Sequence, residues 1–125
     1  MSVISRFDKY EPFGGGFRAP LDANWNPANF NKALGAGLNA AGRVVIGAGQ
    51  TGILGVIVLQ SRKNAGDPVD TMTDGEIVEF PGVPGTKYYA APDGTISTTD
   101  TGVYVGHTVE GTRLVVRARP AGGAA

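Results

Sequence analysis

From residue 33 onward the apolar positions of this chain fall in short β-branched runs, each closed by a turn signal. Residues 33–38 predict a first strand, Asn39-Ala40-Ala41-Gly42 its turn, and residues 43–46 the return strand. Residues 52–60 are almost continuously apolar, with Val56, Ile57 and Val58 at the centre, which predicts a buried strand. Residues 69–72 and 76–80 predict strands on either side of Thr73-Asp74-Gly75. The runs 86–91 and 95–98 flank Pro92-Asp93-Gly94, where proline presets one dihedral and glycine supplies the positive one. Residues 103–109 and 112–118 predict a last hairpin around Glu110-Gly111. Roughly eight or nine short strands, with turns about every ten residues, predict an all-β fold, a small β-barrel or sandwich. No segment after residue 35 carries helical periodicity, and there is no internal repeat.

The first 32 residues have a different texture. They hold six of the ten aromatic residues, Phe7, Tyr10, Phe13, Phe17, Trp25 and Phe30. Gly14-Gly15-Gly16 and Pro12, Pro20 and Pro27 interrupt any regular element there. Asn26 and Pro27 are suited to cap a short helix over residues 28–34. Large rings on an irregular segment gain little unless they meet another surface. That surface is either the body of the same chain, whose open edge such an arm would cover, or another protein. An identical contact made on a second copy would be arm exchange. The expected organisation is an extended arm over 1–32, a β-body over 33–118 and a small-residue tail over 119–125.

Composition narrows the function classes. Eleven basic and eleven acidic residues balance, and no basic cluster points to nucleic acid. Charge is segregated, however: residues 67–110 hold eight acidic side chains and one basic one, Lys87, before Arg113, Arg117 and Arg119 follow. An acidic face beside a basic final strand would orient neighbouring subunits, or would form a solvated rim. The absence of cysteine removes disulfides, thiolate catalysis and Cys-based zinc sites. No signal peptide is legible at the N-terminus, and the run 53–59 is too short to span a bilayer. Twenty glycines and eight prolines lie between the β-branched runs, a pattern of short strands and tight turns rather than of disorder.

Four constellations invite a chemical reading. Gly47-Ala48-Gly49-Gln50-Thr51-Gly52 fits G-x-G-x-x-G after the apolar run Val44-Val45-Ile46, with Asp67 at about the expected 20-residue distance. The residues that follow are β-branched and disfavour the helix that a dinucleotide site requires, so the loop reads as a strand connection. His107, the single histidine, lacks the partner set of a triad or a metal site. Asp67, Asp70 and Asp74 lack the alternating ligands and closing glutamate of a calcium loop. Tyr88 and Tyr89 occupy opposite faces of a strand, one toward the core and one outward. Without a basic groove, base stacking on the outer ring is disfavoured. No enzymatic activity, cofactor or metal is expected.

The opening Val3-Ile4-Ser5-Arg6-Phe7-Asp8-Lys9-Tyr10 with Gly16-Phe17-Arg18-Ala19-Pro20-Leu21 resembles small head proteins of tailed phages infecting actinobacteria. So do Ala65-Gly66-Asp67-Pro68-Val69-Asp70 with Gly75-Glu76-Ile77-Val78-Glu79-Phe80, and Gly102-Val103-Tyr104-Val105-Gly106 with Arg113-Leu114-Val115-Val116-Arg117. These segments resemble capsid decoration proteins, also called cement or minor capsid proteins. The resemblance implies a small β-rich protein without enzymatic activity. It would bind the outside of the mature capsid, often as a homotrimer at threefold or quasi-threefold positions, and reinforce joints between major capsid protein subunits. Its partners would be the major capsid protein and further copies of itself, not nucleic acid or membrane.

Phe7, Tyr10, Phe13, Phe17, Arg18 and Trp25 are then the expected partner-binding anchors, because aromatics and arginine dominate interface energies. Two other functions remain open. One is a virion-displayed module for host-surface glycans, using Tyr88, Tyr89 or Tyr104. The other is a nucleotide-dependent enzyme using the glycine loop.

Overall fold

The computed structural model describes residues 16–119. Ten strands follow one another: β1 (Gly16–Pro20), β2 (Leu34–Leu38), β3 (Val44–Ile46), β4 (Gly55–Ile57), β5 (Pro68–Met72), β6 (Asp74–Glu79), β7 (Lys87–Ala90), β8 (Ile96–Ser97), β9 (Val103–Glu110) and β10 (Arg113–Arg117). They form two five-stranded antiparallel sheets, ordered β1-β5-β4-β2-β3 and β6-β10-β9-β7-β8. The fold is an all-β sandwich. A single parallel bridge from Leu21 to Val44 links the two edges of the first sheet, which curls without a continuous closing ladder.

Two apolar cores hold the sandwich. Leu21, Trp25, Ala36, Val44, Ile57, Leu59 and Val69 fill the concave side of the first sheet. Ile53, Val56, Tyr88, Ala90, Val105, Leu114 and Val116 fill the space between the sheets. Strand β4 explains why its sequence is continuously apolar. Val56 enters one core and Ile57 the other, so neither face meets water. Strand β2 alternates for a related reason. Leu34, Ala36 and Leu38 point into the first core, while Gly35 lies against the second sheet. A Cβ at Gly35 would stand 2.6 Å from the Ala90 Cβ, so the close approach of the sheets requires glycine there.

Most of the expected strands appear within a residue or two of their sequence bounds. The Asn39 side chain closes the first hairpin, accepting from the Ala41 and Arg43 amides at 2.9 and 3.0 Å. Gly94 takes the positive φ, 93°, that its turn demands. The strands on either side of Thr73 belong to different sheets: β5 ends in the first and β6 begins in the second. The Thr73 carbonyl accepts from Ala118 N at 2.8 Å where the chain passes between them.

The arm–body boundary expected at residue 32 does not hold for residues 16–32. Gly16, Phe17, Arg18, Ala19 and Pro20 pair residue by residue with β5, and Leu21 and Trp25 are buried in the first core at 2% and 5% exposure. The physical reason is edge cover: β5 would otherwise present a bare edge, and the first core would lack its lid. Of the two surfaces open to such a segment, residues 16–32 use their own body. The helix expected over 28–34 is a single 3-10 turn, Pro27–Asn29, with the Asn26 side-chain Oδ1 accepting from Ala28 N at 3.0 Å. Asn31 then adopts φ 63°, and Leu34 is drawn into β2. Residues 1–15 and 120–125 lie outside the described residues, so the expectations placed on them stand apart from this account.

Candidate interaction surfaces

The six expected anchors separate. Phe7, Tyr10 and Phe13 lie outside the described residues. Phe17 packs half-buried against the first core, and Trp25 is inside it. Those two rings close the protein's own core. Arg18 projects outward from β1 and forks onto Asp70, with Nε 2.7 Å and Nη2 3.1 Å from the two carboxylate oxygens. The hydrogen bond from Arg18, against an opposing desolvation and with the guanidinium charge in support, holds the Asp70 carboxyl below the usual aspartate range.

The outer face of the second sheet carries the second surface. Tyr88 points into the core between the sheets and Tyr89 points out, as alternation demands. A bulge in the β7–β9 ladder matches Tyr88 to Gly106 but Tyr89 to Tyr104. The extra residue puts Tyr104 and His107 on one face, where the Tyr104 hydroxyl lies 3.4 Å from His107 Nδ1. The Tyr89 and Tyr104 rings meet edge to face at 5.6 Å. Across the strands, Lys87 and Val115 flank His107, and Ile77, 58% exposed, follows Val115. Sequence alternation locates Tyr89. It does not locate the Tyr104–His107 pairing, because Gly106 inside the strand is a sign of a bulge but does not fix which side chains it brings together.

A third feature is a tethered proline loop. Residues 81–85 fold over the β9–β10 hairpin and are held at several points. The Tyr88 hydroxyl accepts from Val83 N at 2.9 Å, Gly82 N donates to Gly111 O at 2.9 Å, and the Thr108 hydroxyl donates to the Val83 carbonyl. The fixed loop leaves Val83 63% exposed, and Val109 on the neighbouring hairpin is 52% exposed.

Two clefts open among the described residues. One, of about 160 Å³, lies where the Leu21 and Asp22 segment meets the edge of β3, with Trp25 in its wall. The other, of about 370 Å³, opens between the sheets and is lined by Ile53, Ala90, Val103, Tyr104 and Arg119 among others.

The constellations singled out in the sequence do not assemble into chemistry. The glycine loop joins β3 to β4, and a strand rather than a helix follows it. Its amides are already committed: Gly47 N donates to Gly35 O, Ala48 N to Pro92 O and Gln50 N to Leu38 O. The three aspartates each have a partner of their own. Asp67 accepts from Asn64 N at 2.7 Å, Asp70 holds Arg18, and Asp74 holds Arg117 at 3.2 Å. Among the described residues no group of three acidic or histidine side chains converges as metal ligands. Asp93 caps its own turn, and the Thr95 amide and side chain hold its carboxyl below the usual range.

No family model matches this chain, and no curated protein matches it. A solved chain from Mycobacterium phage Patience has a similar fold. The two superpose with a TM-score of 0.73 over 92% of this chain and 96% of that one, at 21% sequence identity. The likeness covers both sheets and shows that this sandwich is an existing architecture.

Proposed function

We propose that this chain is a structural virion protein of a tailed phage. It binds the outer surface of the capsid and stabilises contacts between major capsid protein subunits. The observation that carries the reading is the likeness to the Mycobacterium phage chain, which extends over nearly the whole of that chain rather than over a shared core motif. The segments that resemble decoration proteins support it, since they come from the start, middle and end of the sequence.

The physics of the surfaces is compatible with docking. Phe7, Tyr10 and Phe13 of the N-terminal arm, with the outward Arg18 of β1, remain proposed anchors. Many weakly held copies on one lattice gain retention by multivalency. Self-association as a homotrimer belongs to the same proposal. Segregated charge on a chain of zero net charge would orient identical neighbours without long-range repulsion.

Co-sedimentation of the full chain with undecorated mature capsids, across a concentration series, tests the reading. Saturable binding at a fixed ratio to major capsid protein is expected. An unsaturable or absent pellet fraction would sink it.

A second reading is favoured by one observation, the Tyr89–Tyr104 pair on an open sheet face beside Lys87 and His107. It makes the protein a virion-displayed module for host-surface glycans. Glycan-array binding that disappears in Tyr89→Ala would favour that function over the structural one.

A further inference from the structure

Three independent observations meet at the 160 Å³ cleft beside β3. The first is a buried donor. Trp25 is 5% exposed, and its indole Nε1 is buried without a hydrogen-bond partner among the described residues. Buried tryptophan N–H groups almost always find an acceptor. Trp25 forms part of the cleft wall.

The second is an interrupted sheet edge. In the β2–β3 ladder, Gly47 N donates to Gly35 O and Asn39 N donates to Arg43 O. Antiparallel alternation therefore turns the N–H and C=O groups of Val44 and Ile46 away from β2. At Val44 the edge is taken up by the chain itself: Asp22 N donates to the Val44 carbonyl at 3.0 Å. The chain then leaves the edge, and Trp25 N pairs with Lys63 O instead. One step further along, the outward groups of Ile46 meet no main-chain partner among the described residues.

The third is the lining. Leu21, Val44 and Ile46 make the cleft apolar, and Ile46 is 37% exposed at its mouth. Asp22 is the single carboxylate in the lining; Asn39 Nδ2 donates to it at 2.8 Å, and no Lys or Arg stands in the lining to neutralise it. A neutral or basic segment fits such a lining and an acidic one does not.

We infer that this notch receives an extended main-chain segment of a partner protein. The segment continues the strand that Leu21 and Asp22 begin, pairs with Ile46, and supplies the carbonyl that accepts from the Trp25 indole. This is strand addition at a sheet edge, in which main-chain bonds give affinity and a side-chain cleft gives specificity. Resting on the function proposed above, the segment belongs to the major capsid protein and is neutral or basic.

The test uses full-length protein bound to undecorated capsids. Hydrogen exchange read by mass spectrometry should show at least tenfold slower exchange over residues 44–46 in the bound form than in the free form. Ile46→Lys should retain the wild-type melting temperature and bind capsids at least tenfold more weakly. Trp25→Phe keeps most of the ring and removes the donor, and should bind several-fold more weakly. If that variant does not fold, Ile46→Lys carries the test. Saturable co-sedimentation without protection at 44–46, or with undiminished Ile46→Lys binding, overturns this inference and leaves the capsid role standing. It would then leave the indole to a buried water. Absence of co-sedimentation overturns both.

Discussion

Arg18 and Asp70 stand directly opposite one another on β1 and β5, and the guanidinium grips both carboxylate oxygens at 2.7 and 3.1 Å. The pair fixes the register of the strand that sequence reasoning assigned to the arm. Both side chains are largely exposed, so its worth lies in register more than in energy. The folded Asp70 carboxyl titrates below its unfolded value. Its contribution is therefore fully present above the unfolded value and is lost as pH falls through the folded one. Thermal melts of wild type and Asp70→Asn should differ at neutral pH. They should converge as pH drops below the ordinary aspartate value of about 3.9. A gap that widens in acid would contradict the assignment.

Deletion separates the arm from the body at a different point than the sequence suggests. Removing residues 1–15 leaves β1 and the first core intact, and should give a cooperatively folded protein with weaker capsid attachment. Removing residues 1–25 strips β1, Leu21 and Trp25, and should abolish the cooperative transition. Circular dichroism melts of the two truncations check this, and a stable fold in the longer deletion would contradict the role given to β1.

Gly35→Ala probes the spacing of the sheets. The added methyl meets the Ala90 Cβ at 2.6 Å and the Ile53 Cδ1 at 3.1 Å, and neither neighbour is the tip of a long flexible chain. Overpacking of this kind costs about 1–3 kcal/mol. Urea unfolding should show a lower midpoint with an unchanged slope.

Tyr88→Phe removes the hydroxyl that accepts from Val83 N and leaves the ring packed on Phe80 at 4.7 Å. The loss should be about 1 kcal/mol. Amide exchange at Val83 should rise more than exchange in β9, because the Thr108 hydroxyl still holds the Val83 carbonyl.

Nine of the ten strands were legible because each carries its cause locally. The Leu34, Ala36 and Leu38 alternation, the doubly buried Val56 and Ile57, and the Pro92-Asp93-Gly94 turn need no distant information. Strand β1 was not legible. Gly16-Phe17-Arg18-Ala19-Pro20 has glycine and proline at its ends, and its pairing is fixed by Asp70, far along the chain. The place of Trp25 in the first core was not legible for the same reason. Its burial depends on Leu59 and Val69 closing around it, and an aromatic ring in an irregular segment reads identically whether it packs inward or outward. The Tyr104–His107 contact hangs on a bulge, and the cleft beside Ile46 on the point where one strand parts from another. The first leaves only Gly106 inside its strand as a local sign, and the second leaves none.

The start and stop of the described chain share one corner. Gly16 faces Met72, and Ala118 is bonded to the very next residue, Thr73. Joining the two ends by a short linker and reopening the chain in an exposed turn should therefore preserve both sheets, since neither strand would need to move. A reporter domain fused downstream of Arg119 would start out beside the Gly16 end of β1. Cargo meant to stand clear of that corner is better attached at the opposite end of the sandwich.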